Sequence, residues 1–156
     1  MDINIRKGQR SDLAEILRMT FTPDTELAAT QDSKDRFVRD CLKPKTLIKV
    51  IEKGDDIVGY FVYTPETANR VRIVSLLIDE QHRGNGYSKK ALDELSSCYA
   101  SLRVEVDYNN YDALRYLAHN GFKPIKEKKS TYLMEFKEHA SSGLGLRSRL
   151  NMFKDF

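Results

Sequence analysis

Residues 76–95 read LLIDEQHRGNGYSKKALDEL, and this stretch decides the fold. An apolar run, Leu76-Leu77-Ile78, enters the glycine turn Gln81-His82-Arg83-Gly84-Asn85-Gly86. From Tyr87 a helical pattern follows, with Ala91, Leu92, Leu95 and Cys98 on its expected inner face. Glycine at 84 and 86 removes side chains where backbone N–H groups must approach an anion. The start of the helix adds unpaired N–H groups and the positive end of the helix dipole. Arg83, Lys89 and Lys90 add positive charge beside it. This construction suits a pyrophosphate. Taken alone it has a plainer alternative, a structural β–α turn with solvated lysines, because glycine turns before helices are common.

Two better-known phosphate loops are excluded. No Gly-x-x-x-x-Gly-Lys-Ser/Thr run occurs, and Lys89 stands where a dinucleotide fingerprint needs its third glycine. The turn also lies past mid-chain and behind a hairpin, whereas a Rossmann unit begins a parallel sheet.

Upstream, TLIKVIEK (46–53) and IVGYFVYT (57–64) flank Gly54-Asp55-Asp56 and predict an antiparallel hairpin. Strand 71–78 leads into the turn. Before the hairpin come a strand over 3–6, a helix from Asp12 with Leu13, Ile16, Leu17 and Phe21 at helical spacing, and a polar loop from Thr22 to Gln31. A second helix runs from about Ser33 until Pro44 ends it. Downstream, LRVEVDY (102–108) alternates as a strand. Asn110 opens a helix with Ala113, Leu114, Leu117 and Ala118 inward, and Gly121 caps it. Runs over 123–128 and 131–136 predict a last hairpin. The order β-α-α-β-β-β-α-β-α-β-β implies a mixed sheet with helices packed on its faces.

A chain of 156 residues with this composition fits a single domain, expected over 1–138. The formal net charge of +3 suits an anionic ligand but is too weak for nucleic acid. Cys41 and Cys98 read as reduced core residues of a cytoplasmic protein. The first residues lack a signal-peptide pattern, and no apolar run is long enough to cross a membrane. The segment 139–156 begins with a Ser/Gly stretch. Leu146, Leu150, Met152 and Phe153 then alternate with Arg147, Arg149 and Lys154. It reads as a short amphipathic helix, a homodimer contact or a partly ordered tail.

From Ile3 to about Glu138 the chain resembles the GNAT superfamily of N-acetyltransferases. The likeness rests on Gln81-His82-Arg83-Gly84-Asn85-Gly86 between strand and helix, and on Asn110-Tyr111-Asp112-Ala113 followed by Gly121-Phe122. It implies an α/β (α+β) fold with a mixed, mostly antiparallel sheet of six to seven strands and helices on both faces. The implied co-substrate is acetyl-CoA, and no metal is needed. Implied cofactor-binding residues are Leu76, Leu77 and Ile78 along the pantetheine arm, Gln81, Arg83, Gly84, Asn85, Gly86, Tyr87 and Ser88 at the pyrophosphate, and Asn110 on pantetheine. The thioester is expected in a splay between the strands ending near Ile78 and Tyr108. More narrowly, VSLLIDEQHRGNGYSKKAL is similar to bacterial spermine/spermidine-type acetyltransferases.

One departure concerns the general acid. Where many members carry a tyrosine that protonates the leaving thiolate, this chain has Leu117. Tyr116 is adjacent but turned by about 100°, while Tyr108 and Tyr111 lie near the expected splay. A general base is not evident. Ser75 reads as a serine pointing at a neighbouring strand, and Glu105 and Asp107 read as a solvated strand face. His82, His119 and His139 have no partner visible in sequence. The acceptor pocket is expected from segment 11–42 and hairpin 46–64. Asp24, Glu26 and Tyr60 are its candidate residues, against the plainer reading of an acidic loop and a core aromatic. Three functions follow: acetyl transfer to a small-molecule amine, such as a polyamine; transfer to a protein or peptide; or CoA binding without catalysis.

Overall fold

A computed structural model describes residues 2–21 and 31–137, the side chains of 31–33 excepted. Among the described residues, seven strands and four helices follow in the expected order. They are β1 (Asn4–Lys7), α1 (Leu13–Thr20), α2 (Gln31–Cys41), β2 (Leu47–Lys53), β3 (Asp56–Pro65), β4 (Arg70–Ile78), α3 (Tyr87–Cys98), β5 (Ser101–Asp107), α4 (Tyr111–His119), β6 (Lys123–Glu127) and β7 (Thr131–Lys137). Two 3-10 turns, Arg10–Asp12 and Glu80–His82, have no counterpart in the sequence reading. The strand order is β1-β2-β3-β4-β5-β7-β6 in one sheet, with β4 and β5 parallel and β1–β2, β2–β3, β5–β7 and β6–β7 antiparallel.

The chain divides into two compact units, Met1–Thr64 with Ser75–Ala91, and Pro65–Val74 with Leu92–Phe156. In the first unit, Ile16 and Met19 of α1, Cys41 at the end of α2, and Val50, Tyr60 and Val62 of the hairpin form a buried cluster. Phe37 meets Tyr60 edge-on at 6.3 Å. Every residue from Val58 to Tyr63 is buried, so β3 is a central strand covered on both faces. Its register carries a bulge: Ile51 faces Gly59 but Glu52 faces Ile57, which leaves Val58 over. Asp12, 7% exposed, is held by Arg6 at 3.0 Å and by the Gln9 N–H at 2.7 Å. The Arg6 hydrogen bond, more than any other influence, holds the Asp12 carboxyl below its ordinary range.

In the second unit, β5 pairs with β7 from Ser101↔Lys137 to Asp107↔Thr131. Leu102, Leu117, Phe122 and Phe136 are buried, with the rings of Phe122 and Phe136 5.8 Å apart. Arg103 and Ser101 both reach Glu135, at 2.8 and 3.0 Å. Gly121 takes φ +91° and the Phe122 N–H returns to the Leu117 carbonyl at 2.9 Å, so the expected glycine cap forms.

Two inner-face assignments are corrected. Cys98 is exposed, and Ser96 takes the buried position. The buried stripe of α3 centres between Leu92 and Leu95, roughly 90° from Cys98 at 100° per residue. Ala118 is likewise exposed, while Tyr116 is half-buried. The cause is Asn120, 2% exposed, whose Nδ2 donates to the Tyr116 carbonyl at 2.8 Å. Burying that polar cap rotates the inner stripe of α4 by roughly 60° toward Tyr116.

Candidate functional site

The glycine turn belongs to the first unit. Gly84 and Gly86 have φ of +84° and +77°, a left-handed conformation that residues with a Cβ rarely adopt. A Cβ at either position would meet open space within 4 Å, so backbone conformation, not crowding, requires the glycines. The first helical bond behind them runs from the Lys90 N–H to the Gly86 carbonyl at 3.2 Å. The amides that precede it carry the positive end of the helix dipole. The turn is braced from within: the His82 N–H donates to the Asp79 carbonyl at 2.8 Å and Asn85 Nδ2 to the His82 carbonyl at 3.0 Å. Asn85 therefore shapes the loop with its side chain. This open, braced, amide-bearing turn fits a diphosphate.

Strand β4 enters the turn from a fixed position. The Asp79 N–H donates to the surplus Val58 carbonyl at 2.8 Å. Gly59 lies so close to β4 that a Cβ would come within 2.7 Å of Ile78 Cδ1 and 2.8 Å of the Leu77 carbonyl oxygen. Because peptide groups alternate sides along a strand, those of Leu76 and Ile78 point away from β3. The β4–β5 ladder ends at Ile73↔Val104, before that segment. Arg83 departs from its expected role as mobile charge, because its Nε donates to the Ile78 carbonyl at 3.0 Å. The side chains of Ile78 and Tyr87 are buried, so only their backbone can face a ligand. Gln81 is exposed and Ser88 half-buried.

Beside the turn, the first unit holds a cavity of about 490 Å³ lined by Glu15, Arg18, Asp55, Asp56, Asp79 and His82, among others. His82 is half-buried, its Nδ1 3.5 Å from an Asp79 carboxylate oxygen. That carboxylate also lies 3.9 Å from Arg18. Tyr60 is not a pocket-wall residue: it is fully buried, its hydroxyl 2.7 Å from Thr20 Oγ1 and 3.0 Å from Ser75 Oγ. Ser75 thus points at the neighbouring strand, as the sequence suggests. Asp24 and Glu26 lie outside the described residues, as does the segment 138–156.

The remaining site residues belong to the second unit. Asn110 caps α4, its Oδ1 accepting from the Ala113 N–H at 3.2 Å, so only its amide nitrogen is left for a ligand. Leu117 is buried and offers no proton. Tyr108 packs against Tyr132, the ring centroids 4.5 Å apart and the planes tilted by 48°, and donates its hydroxyl proton toward Glu127 and the Lys128 carbonyl. Desolvation, and next the Glu127 carboxylate, push its phenol above the ordinary range. Tyr111 is 68% exposed. Glu105 is exposed and paired with Lys128, and Asp107 is exposed, as a solvated strand face requires.

A scan of protein families matches residues 11–122 to the acetyltransferase (GNAT) family, a span that contains the turn, Asn110 and Gly121-Phe122. The chain belongs to the GNAT acetyltransferase family. It is therefore an acetyl-CoA-dependent N-acetyltransferase, and acetyl-CoA is its co-substrate. The fold is that of solved GNAT-type structures. PaiA N-acetyltransferase from Thermoplasma acidophilum, in complex with coenzyme A, has a TM-score of 0.71 at 18% identity, over 88% of this chain and 99% of that one. An acetyltransferase from Thermus thermophilus has 0.71 at 19%, over 88% and 97%. A ribosomal-protein alanine N-acetyltransferase from Escherichia coli has 0.68 at 13%, over 87% and 94%. A search of curated protein sequences finds no match. No helix among the described residues is long and apolar enough to cross a membrane.

Proposed function

We propose that this GNAT enzyme acetylates a primary amine of a small molecule, with polyamine-like amines the leading class. The reading is carried by the Gly84–Gly86 turn, whose positive φ values and helix-start amides suit the diphosphate of acetyl-CoA. The amides from Arg83 to Ser88 would hold that diphosphate, and the outward Leu76 N–H and carbonyl with the Ile78 N–H would pair with the pantetheine arm as an added strand does, the Ile78 carbonyl being taken by Arg83. Asn110 would contribute its amide nitrogen. The co-substrate supplies the thioester: the amine nitrogen bonds its carbonyl carbon as the carbon–sulfur bond breaks, the amine loses one proton and the thiolate gains one.

Charge supports a cationic acceptor. Glu15, Asp55, Asp56 and Asp79 line one cavity against Arg18 as its permanent cation, and a wall of that sign raises the local concentration of amines. Tyr116 is the preferred general acid over Tyr108. It is half-buried on the flank of the inner stripe of α4, which buries Leu117 beside it.

A thiol-release assay with acetyl-CoA and a panel of spermidine, spermine, amino acids and a lysine peptide tests the proposal. Release that depends on small amines supports it. Release confined to the peptide moves the acceptor to a protein. Tight acetyl-CoA binding with no release on any amine leaves CoA binding without transfer to these acceptors.

A further inference from the structure

Three side chains of the first unit form a hydroxyl chain whose proton directions are fixed. Thr20 Oγ1 lies 2.7 Å from the Ile16 carbonyl oxygen, and a carbonyl only accepts, so Thr20 donates there. Its one proton is then used, so Tyr60 is the donor across the 2.7 Å contact with Thr20 Oγ1. The Tyr60 proton is used in turn, which makes Ser75 the donor across the 3.0 Å contact to the Tyr60 oxygen. Tyr60 cannot turn away, because its ring is fully buried among Ile16, Met19, Val50 and Val62. Burial also disfavours the phenolate, so the chain keeps its protons across the neutral range.

The chain ends at Ser75, half-buried on β4 and one residue before Leu76, where the strand begins its proposed pairing with pantetheine. With its proton committed inward, Ser75 Oγ offers only lone pairs. We infer that Ser75 Oγ is an acceptor-only anchor for an N–H of the incoming amine, set by Tyr60 and Thr20. The inference rests on the acetyl-transfer reading above and adds a positioning and specificity residue to it. A neutral primary amine has two N–H bonds and one lone pair. Anchoring one N–H to Ser75 leaves the lone pair to face the thioester carbon. A group that can only accept hydrogen bonds finds no donor there. An ordinary serine, free to rotate its proton, would not discriminate in this way.

The test is steady-state kinetics on the full chain with the best amine of the panel, amine and acetyl-CoA varied separately, and melting temperature in parallel. Ser75→Ala is expected to raise the amine KM about tenfold, the loss of one hydrogen bond, with the acetyl-CoA KM within about twofold. Ser75→Thr, which keeps the hydroxyl, restores the amine KM to within about threefold of the wild type. Tyr60→Phe releases the Ser75 proton. It is expected to raise the amine KM comparably, and the double variant should be no worse than Ser75→Ala alone, because both act on one contact. A merely structural role would lower the melting temperature and move both KM values together. An unchanged amine KM in Ser75→Ala, with the wild type turning over, overturns the inference alone. A wild type that releases no CoA with any amine of the panel removes the small-molecule-amine reading and the inference with it. Should Ser75→Ala unfold, Tyr60→Phe takes its place, and an unchanged amine KM in that variant overturns the inference equally.

Discussion

The backbone N–H of Asp79 donates to the carbonyl of Val58 at 2.8 Å, and Val58 is the residue that the β2–β3 register leaves over. A bulge in one strand therefore supplies the acceptor that fixes the end of another. Strand β4 reaches its turn from that anchored point, with Gly59 packed against the Leu77 carbonyl beside it.

Gly59→Ala tests how far the turn depends on this contact. The added methyl would lie 2.8 Å from the Leu77 carbonyl oxygen, a backbone atom that cannot rotate aside, and 2.7 Å from Ile78 Cδ1. Overpacking of this kind costs about 1–3 kcal/mol. Urea unfolding should report that loss, and calorimetry should report weaker acetyl-CoA binding because the end of β4 has moved. A variant with wild-type stability and affinity would show that β3 and β4 part freely at this point.

Gly84→Val and Gly86→Val probe the turn itself. Both φ values lie in the left-handed region, where a side chain costs about 1–2 kcal/mol and a β-branched one more. Neither site is crowded, so the strain is relieved by reshaping an exposed loop and leaves the core alone. We expect acetyl-CoA binding to be abolished while circular dichroism and most of the melting temperature are retained. Near-wild-type affinity in either variant would mean that the diphosphate sits elsewhere.

Much of this was legible in the sequence, and the misses share a cause. Hydrophobic periodicity, together with the glycine, proline and capping residues between the runs, identifies the order of the eleven strands and helices among the described residues, although β6 (Lys123–Glu127) is exposed along its whole length. It misplaces the inner face of α4 because Asn120, a polar residue, is buried as a cap, and counting apolar side chains alone rotates the stripe away from Tyr116. The bulge at Val58 is invisible for a related reason. Val58, Gly59, Tyr60 and Phe61 are all buried, so no alternation exists to reveal a skipped register. Arg83 reads as free positive charge because sequence cannot show its Nε folded back on the Ile78 carbonyl. The direction of the Ser75–Tyr60–Thr20 chain depends on distances between residues 15 and 40 positions apart, which no local pattern encodes.

Asp12→Asn should make the stability of the first unit depend on pH in a defined way. The native carboxyl titrates below its ordinary value, chiefly because Arg6 hydrogen-bonds the charged form. A depressed native pKa stabilises the fold above the unfolded-state pKa, and that stability disappears as pH falls through the native value. Loss of a charged, nearly buried partner costs about 2 kcal/mol at neutral pH. The gap between wild type and variant should therefore be full at pH 7 and close below the ordinary aspartate range. A gap that persists unchanged in strong acid would mean that packing, not charge, is what Asp12 contributes.

The two tyrosines separate by kinetics. The Tyr108 hydroxyl already points its proton at the Lys128 carbonyl and Glu127, so Tyr108→Phe should leave kcat within about threefold of the wild type. Tyr116→Phe removes the proposed proton donor, and general acid catalysis of this kind is worth about 10²–10⁴-fold. Its kcat should fall by at least the lower of those figures, with the acetyl-CoA Kd unchanged. The alkaline limb of the kcat profile should be lost with it, since that limb reports the acid in the bound complex. A drop in Tyr108→Phe with Tyr116→Phe unaffected would exchange their roles. If neither variant slows turnover, the thiolate leaves unprotonated or takes its proton from water, and the buried Leu117 marks an enzyme that needs no tyrosine acid.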